Sequence, residues 1–303
     1  MKVFVTGGTG FTGSHVVPLL LKNGYQVRCL YRLTSDRSFS LRDQPTIEWA
    51  LGDVSDPRAL SASLQGMDTL VNITSLGFGH ADSIISAAKN AGIQRAIFVS
   101  TTAIFTQLNA KSKKVRVAAE TAIESSGLKY TILRPTMIYG SPRDRNMWRL
   151  IRFMRYSPVV PIFGDGNYLQ QPIYVGDVAQ AILSCLCNDQ TIGKSYNIAG
   201  KFPLTYNQVI DTIAGQLAEP KRVWKVHISS MPAVSLLRFF ERLHIPFPVK
   251  AEQVLRLNEN KDFSYAEAQK DFGFNPWSFE EGIKSELKSL QAQAAVLGGR
   301  NSA

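Results

Sequence analysis

The residues with the clearest chemical purpose stand at the start of the chain, in the run Thr6-Gly7-Gly8-Thr9-Gly10-Phe11-Thr12-Gly13. Glycines at Gly7, Gly10 and Gly13 let a backbone turn sharply, approach a diphosphate, and start a helix packed tightly on the preceding strand. That helix would offer unpaired N–H groups and a partial positive charge to the anion, with Thr9, Phe11 and Thr12 in the same turn. Farther on, Arg32 and Arg37 bracket Thr34 and Ser35, with Asp36 as the only carboxylate between them. Guanidinium forks with hydroxyls suit a phosphate group. Asp53 closes a third apolar stretch, where it can accept from an adenine amino group, and Val54 follows it. Hydroxyls gather at Thr74 and Ser75 and again at Ser100, Thr101 and Thr102.

These side chains need elements to hold them. Lys2–Thr6 reads as a short apolar strand, and Ser14–Leu21 as the helix after the glycine turn, ended by Asn23-Gly24. Further strands are expected at Gln26–Arg32, Thr46–Val54, Thr69–Thr74 and Arg95–Ser100. Helices are expected from Asp56-Pro57 and over Ala81–Ala91. Alternation of this kind predicts right-handed crossovers and an α/β fold: a Rossmann-type doubly wound parallel sheet with a smaller C-terminal substrate lobe. The expected division is a dinucleotide-binding domain at 1–140, with 170–200 returning to it, and a lobe formed mainly by 141–303. An acid at the end of the second strand would bond the ribose 2′-hydroxyl of NAD. Arg32 stands there instead, so NADP is expected in preference to NAD.

Composition sets the outer limits. A chain of 303 residues with 45% hydrophobic content can bury a large core. Lys and Arg number 34 against 24 Asp and Glu, a net charge of +10, and most of the excess falls between Lys111 and Arg155. Such a balance reads as a solvated basic face, or as attraction for a phosphorylated cofactor or anionic substrate. No aromatic-interleaved basic motif accompanies it, so specific nucleic-acid binding is not expected. Cys29, Cys185 and Cys187 lack metal-type spacing and read as reduced thiols of a cytoplasmic protein, with no metal site. No leader is expected, because the first strand begins at Lys2, and no apolar run is long enough to span a membrane.

Beyond the glycine turn, Gly52-Asp53-Val54, Phe98-Val99-Ser100-Thr101-Thr102 and Leu133-Arg134-Pro135-Thr136-Met137-Ile138-Tyr139-Gly140 recur in family order. So do Ile173-Tyr174-Val175-Gly176-Asp177-Val178-Ala179, Tyr196-Asn197-Ile198 and Phe272-Gly273-Phe274-Asn275-Pro276. Together they make the chain resemble the extended or atypical short-chain dehydrogenases/reductases, the branch of the sugar-nucleotide epimerases and dehydratases. The resemblance covers nearly the whole length and adds Pro135 and Met137 to the expected cofactor contacts.

Hydride-transferring members of that family carry a Ser or Thr after the fifth strand and a Tyr-x-x-x-Lys pair on the next helix. Residues i and i+4 share a helical face, so the lysine can hold the ribose and lower the tyrosine pKa. By the resemblance those positions hold Ser112 and Arg116. A serine has no titration near neutrality, whereas Arg116 can still donate to ribose hydroxyls. The helix also resembles that of NmrA-like atypical members, some of which are redox-sensing binders without activity. Lys111, Lys113 and Lys114 are the other candidates on this helix, although one position along a helix is a turn of about 100° and a solvated face is the simpler reading. Tyr139, Tyr168 and Tyr174 are rival proton donors for which packing is the simpler reading.

In the second lobe, Asp177 is expected to cap the helix Val178–Leu186, and the amphipathic segment Met231–Leu243 is expected to pack into the core. If exposed, that segment would suit an apolar substrate, a partner helix or peripheral membrane contact. The resulting expectation is an NADP-dependent oxidoreductase or epimerase acting on a small carbonyl or hydroxyl substrate, anionic or apolar. Thr102 or Thr101 would position the oxygen and Arg116 the ribose. The alternative is a non-catalytic NADP-binding protein that senses redox state or assists assembly, and a homodimer is a further partner to test.

Overall fold

The protein was analysed as a computed structural model. It describes residues 1–35, 46–144, 146–217, 222–245 and 250–300, the last ten of these for their backbone alone.

Along the chain the elements run β1 (Lys2–Thr6), α1 (Gly13–Lys22), β2 (Gln26–Tyr31), β3 (Ile47–Leu51), α2 (Pro57–Leu64), β4 (Thr69–Asn72), α3 (Ala81–Asn90) and β5 (Arg95–Val99). Next come α4 (Lys111–Glu124), β6 (Tyr130–Pro135), β7 (Ile138–Tyr139), α5 (Met147–Tyr156), β8 (Val159–Phe163), β9 (Leu169–Gln170) and β10 (Ile173–Tyr174). The remainder is α6 (Val175–Leu186), β11 (Lys194–Ile198), β12 (Leu204–Thr205), α7 (Tyr206–Gln216), β13 (Trp224–Ile228), α8 (Ser230–Arg242), α9 (Ala251–Leu257), α10 (Ala266–Phe272) and α11 (Phe279–Arg300). Strand β3 is shorter than the expected Thr46–Val54. Gly52 keeps one bond to β2, its N–H donating to the Tyr31 carbonyl at 3.0 Å, and beyond it Asp56 caps α2 by accepting from the N–H groups of Arg58 (3.0 Å) and Ala59 (3.1 Å). Helix α6 starts at Val175, so Asp177 lies inside its first turn, where its charge favours the helix dipole, rather than at the cap.

Two compact units emerge. The first comprises Met1–Thr136, Val175–Ile198 and Ser264–Asn275. Its seven-stranded parallel sheet has the order β11-β6-β5-β4-β1-β2-β3, so the winding reverses between β1 and β4. This is the expected doubly wound Rossmann-type sheet. Such strands are buried on both faces and read as continuous apolar runs, as in Val3, Phe4 and Val5 and in Ala96–Val99. Phe4, Leu70, Phe98 and Ile132 meet Leu60 and Leu64 of α2, Ile84 of α3 and Ile123 of α4 in one core cluster. Arg95, buried at the start of β5, donates to the Lys129 carbonyl (2.8 Å), Thr131 Oγ1 (2.5 Å), the Cys185 carbonyl (3.2 Å) and Thr191 Oγ1 (2.7 Å). One cation thus ties β5, β6 and the end of α6 together. The edge strand β11 is held by α10. Lys194 Nζ and Tyr196 Oη both donate to Asp271 Oδ2 at 2.7 Å, which keeps that carboxyl below its ordinary range.

The second unit comprises Met137–Tyr174, Ala199–Phe263 and Pro276–Ala303. Three two-stranded sheets, β7 with β10, β8 with β13 and β9 with β12, surround a core in which α5, α7 and α11 meet. Tyr139 is fully buried there, its hydroxyl donating to the Phe279 carbonyl at 3.3 Å. Tyr174 stacks on Trp277 with ring centroids 4.9 Å apart. Helix α8 departs from the expected core role: only Val234 and Leu237 are buried, in a small cluster with Ala251 and Val254 of α9.

Glu286, on α11, is fully buried near Asp144, and burial first and the Asp144 charge second push its carboxyl up from 4.5 to about 9. The folded chain therefore keeps a proton that the unfolded chain releases above about pH 4.5. Stability contributed by that proton is complete below pH 4.5 and declines as pH rises through about 9, at on the order of 1 kcal/mol per pH unit. Glu286→Gln is expected to flatten this decline and to raise the melting temperature at pH 8, measured by thermal unfolding between pH 5 and pH 9.

Candidate functional site

The candidate site lies along the carboxyl ends of the parallel strands, where the residues that follow β1 to β6 gather. Thr6 leads into Gly7, whose φ of +71° lies in the region that favours glycine. The turn closes with Gly10 N–H donating to the Gly7 carbonyl at 3.0 Å, and α1 begins with Ser14 N–H donating to the Gly10 carbonyl at 2.9 Å. At Gly13 the helix meets the turn directly. A Cβ there would fall 2.3 Å from the Gly7 oxygen and 2.5 Å from Gly8 Cα, a cradle only glycine fills. Thr12 makes no side-chain cap and the first turn of α1 carries no acid. No side chain of the protein thus competes with an anion for this helix terminus, whose dipole favours negative charge. Thr6 Oγ1 donates to Asn72 Oδ1 (2.7 Å), and Asn72 Nδ2 to the Thr74 carbonyl (3.0 Å). These bonds fix the ends of β1 and β4, between which a crevice opens in such sheets. The turn and the crevice fit the diphosphate of a dinucleotide.

At the ends of β2 and β3, Arg32, Ser35, Asp53 and Val54 come together. Arg32 N–H donates to Ser35 Oγ at 3.0 Å, and an Arg32 guanidinium nitrogen lies 3.9 Å from Asp53 Oδ2. Asp53 Oδ1 accepts from Ser55 N–H (2.9 Å) and Ser55 Oγ (2.7 Å), and these bonds, more than Arg32, hold its carboxyl below the usual range. Val54 is buried beside it. An exposed ion pair this long contributes little, so an incoming phosphate can replace Asp53 as the partner of Arg32. Arg37, expected here, lies outside the described residues.

Beyond β4, β5 and β6 several expected residues are committed to the protein itself. Ser75 Oγ accepts from Gly77 N–H at 3.2 Å and starts a single 3-10 turn, Leu76–Phe78. Ser100 Oγ donates to Glu120 Oε1. Glu120 Oε2 in turn accepts from Arg134 Nε (2.9 Å) and Nη2 (2.7 Å), so both donors of a half-buried guanidinium converge on one oxygen of the buried carboxylate. Thr101 Oγ1 accepts from Ala103 N–H at 3.2 Å, and the buried Thr102 donates to the Pro135 carbonyl at 3.4 Å. On α4, Arg116 Nη1 donates to Ser112 Oγ at 3.2 Å, and the Arg116 guanidinium rests on Gly77, where a Cβ would come within 3.0 Å of its Nε. Lys113 turns the other way and donates to the Thr106 carbonyl at 2.6 Å. Met137 and Tyr139 belong to the second unit, and Tyr139 is sealed in its core.

Three features escape sequence reasoning: the Glu120–Arg134 pair, Asn72 between β1 and β4, and Gly77 beneath Arg116. The legible trace of the first was an acid on the apolar side of α4, three residues before the buried Ile123. The other two depend on strand order and left no local signal.

A family model described as NAD(P)H-binding matches residues 7–189. Among similar curated proteins, an Arabidopsis thaliana protein named NADH dehydrogenase [ubiquinone] 1 alpha subcomplex subunit 9, mitochondrial, is 28% identical over 84% of this chain and 67% of its own length. A Mycobacterium tuberculosis 3 beta-hydroxysteroid dehydrogenase/Delta 5-->4-isomerase is 24% identical over 91% of this chain and 86% of its own. Among solved structures, the UDP-glucose 4-epimerase of Thermotoga maritima superposes with a TM-score of 0.76 at 21% identity, covering 97% of this chain and 100% of that one. This last likeness is one of fold.

The glycine cradle gives a direct test. Gly13→Ala is expected to destabilise the protein by about 1–3 kcal/mol through overpacking and to abolish dinucleotide binding in calorimetric titration. Gly215→Ala, in α7 with open space around it, is expected to leave binding intact.

Proposed function

The chain belongs to the NAD(P)H-binding family, with the fold of the extended short-chain dehydrogenases/reductases, and on that premise we propose that it binds NADP(H) and works through occupancy of the site rather than turnover. The observation that carries this reading is the Ser112–Arg116 pair. These residues stand where the family resemblance puts a tyrosine and a lysine, and they are hydrogen-bonded to each other at 3.2 Å. A bound nicotinamide would supply a hydride donor or acceptor. The chain must then move a proton, and the groups at hand are poorly suited to it. Serine does not titrate near neutrality, arginine stays protonated, and Lys113 is tied to the Thr106 carbonyl. α4 contains no tyrosine at all. Binding keeps its means: the Gly7–Gly13 turn for the diphosphate, Arg32 with Ser35 for a 2′-phosphate, and Arg116 for the ribose. A redox-sensing or assembly role follows, in keeping with a relative named as a subunit of a larger complex.

A second reading, an NADP-dependent oxidoreductase or epimerase acting on a small carbonyl or hydroxyl substrate, is favoured by Thr102 at the carboxyl end of β5 and by the relative named as a dehydrogenase. Incubation with NADPH deuterated at the transferable position, in a pool of cellular metabolites, separates binding alone from the oxidoreductase. An epimerase returns its hydride internally, and inversion of added sugar nucleotides without label would establish that instead. The proposal expects tight NADPH binding and no label on any small molecule. Label transfer that is lost in Thr102→Ala would establish the oxidoreductase instead.

Cofactor choice is tested separately. Arg32→Ala removes hydrogen bonds to a doubly charged phosphate, worth about 1.5–3 kcal/mol each. NADPH affinity is expected to fall at least about tenfold, with NADH affinity unchanged.

A further inference from the structure

Part of the second unit presents apolar side chains to solvent on two adjoining elements. In the parallel pair of β8 with β13, Val160 and Ile162 point into the core, while the other face carries Val159, Pro161, Trp224, Val226 and Ile228. Trp224 is 61% exposed. Phe163, next on that same face, packs into the small α8–α9 cluster, so the helices adjoin one end of the open sheet face. Helix α8 then divides into three sectors at 100° per residue. Val234 and Leu237 face inward, Arg238 and Arg242 form an exposed basic edge, and Leu236, Phe239 and Leu243 form an exposed apolar stripe beside it. Phe239 is 56% exposed.

Charge on these elements is one-sided. Glu241, the only acid of α8, accepts from Ala251 N–H at 3.0 Å and caps α9. On α9, Glu252 is paired with Arg256 at 2.7 Å, and Asp211 is paired with Lys225 of β13, also at 2.7 Å. Arg222 lies over the Trp224 ring, 5.2 Å from its centroid. An apolar stripe edged by arginines, with a tryptophan whose ring is apolar and whose N–H seeks polar partners, has the anatomy of an element lying in a bilayer interface. Among the described residues no helix is long and apolar enough to cross a membrane.

We propose that the outer face of α8, with the open face of β8 and β13, docks on an anionic lipid bilayer surface. Phe239, Leu236 and Trp224 enter the headgroup boundary while Arg238 and Arg242 meet lipid phosphates. The surface lies in the second unit, so the proposal does not depend on what the dinucleotide does.

The test is co-sedimentation of the full chain with vesicles of phosphatidylcholine alone and of phosphatidylcholine with phosphatidylglycerol. Binding to the anionic vesicles is expected, weakened by salt, with a blue shift in tryptophan emission that Trp224→Phe removes. Phe239→Glu, and separately Arg238→Gln with Arg242→Gln, are each expected to reduce binding at least about tenfold while leaving NADPH affinity and circular dichroism unchanged. Should Phe239→Glu fail to fold, the arginine double variant decides. Absence of binding to either vesicle, or binding that both variants retain, overturns the proposal. A dimer in sedimentation velocity that Phe239→Glu dissociates, without vesicle binding, also overturns it and makes a second copy the occupant.

Discussion

The molecule's organisation depends on one contact between backbone and backbone. At Gly13 the first turn of α1 lies on the carbonyl of Gly7 and on Gly8, closer than any side chain permits. That approach sets the direction in which α1 leaves the sheet and aims its N–H groups back across the glycine turn. The sheet order adds the crevice, because β1 pairs with β2 on one side and β4 on the other while the chain winds away in both directions. A cofactor site of this kind is a property of the main chain first, and side chains refine it.

This explains how much was readable from residues alone. Glycine spacing and apolar runs reported the turn, the strands and their alternation, since each depends on local backbone conformation and on burial of both sheet faces. Arg32 was legible for the same reason, as the residue that follows β2. Commitments made across the sheet were not. Ser100 looks like one more hydroxyl at a strand end, and only the folded chain shows its proton given to Glu120, which Arg134 from β6 holds from the other side. Lys113 likewise reads as a spare cation until the Thr106 carbonyl is found beside it.

The second unit shows the opposite limit. The spacing of apolar residues in Met231–Leu243 identified an amphipathic helix correctly, yet periodicity says nothing about which of its sides meets protein. Val234 and Leu237 suffice to seat the helix, and Leu236 and the bulkier Phe239 are left outside. Tyr139 shows the same ambiguity reversed. It lies in a family motif as a rival proton donor for which packing is the simpler reading, and its complete burial against Phe279 and Gly282 gives it that packing role.

The return of Ser264–Asn275 to the first unit has a consequence for how the protein is made. Strand β11 closes one edge of the sheet, and the carboxylate that holds Lys194 and Tyr196 arrives only with Asp271. A nascent chain emerging from the ribosome therefore carries a dinucleotide-binding sheet whose last edge stays unclamped until the segment through Asp271 has followed β11 out. Vectorial folding of the first unit cannot finish before the second has largely emerged, and the exposed edge in that interval is where a chaperone would have most to protect.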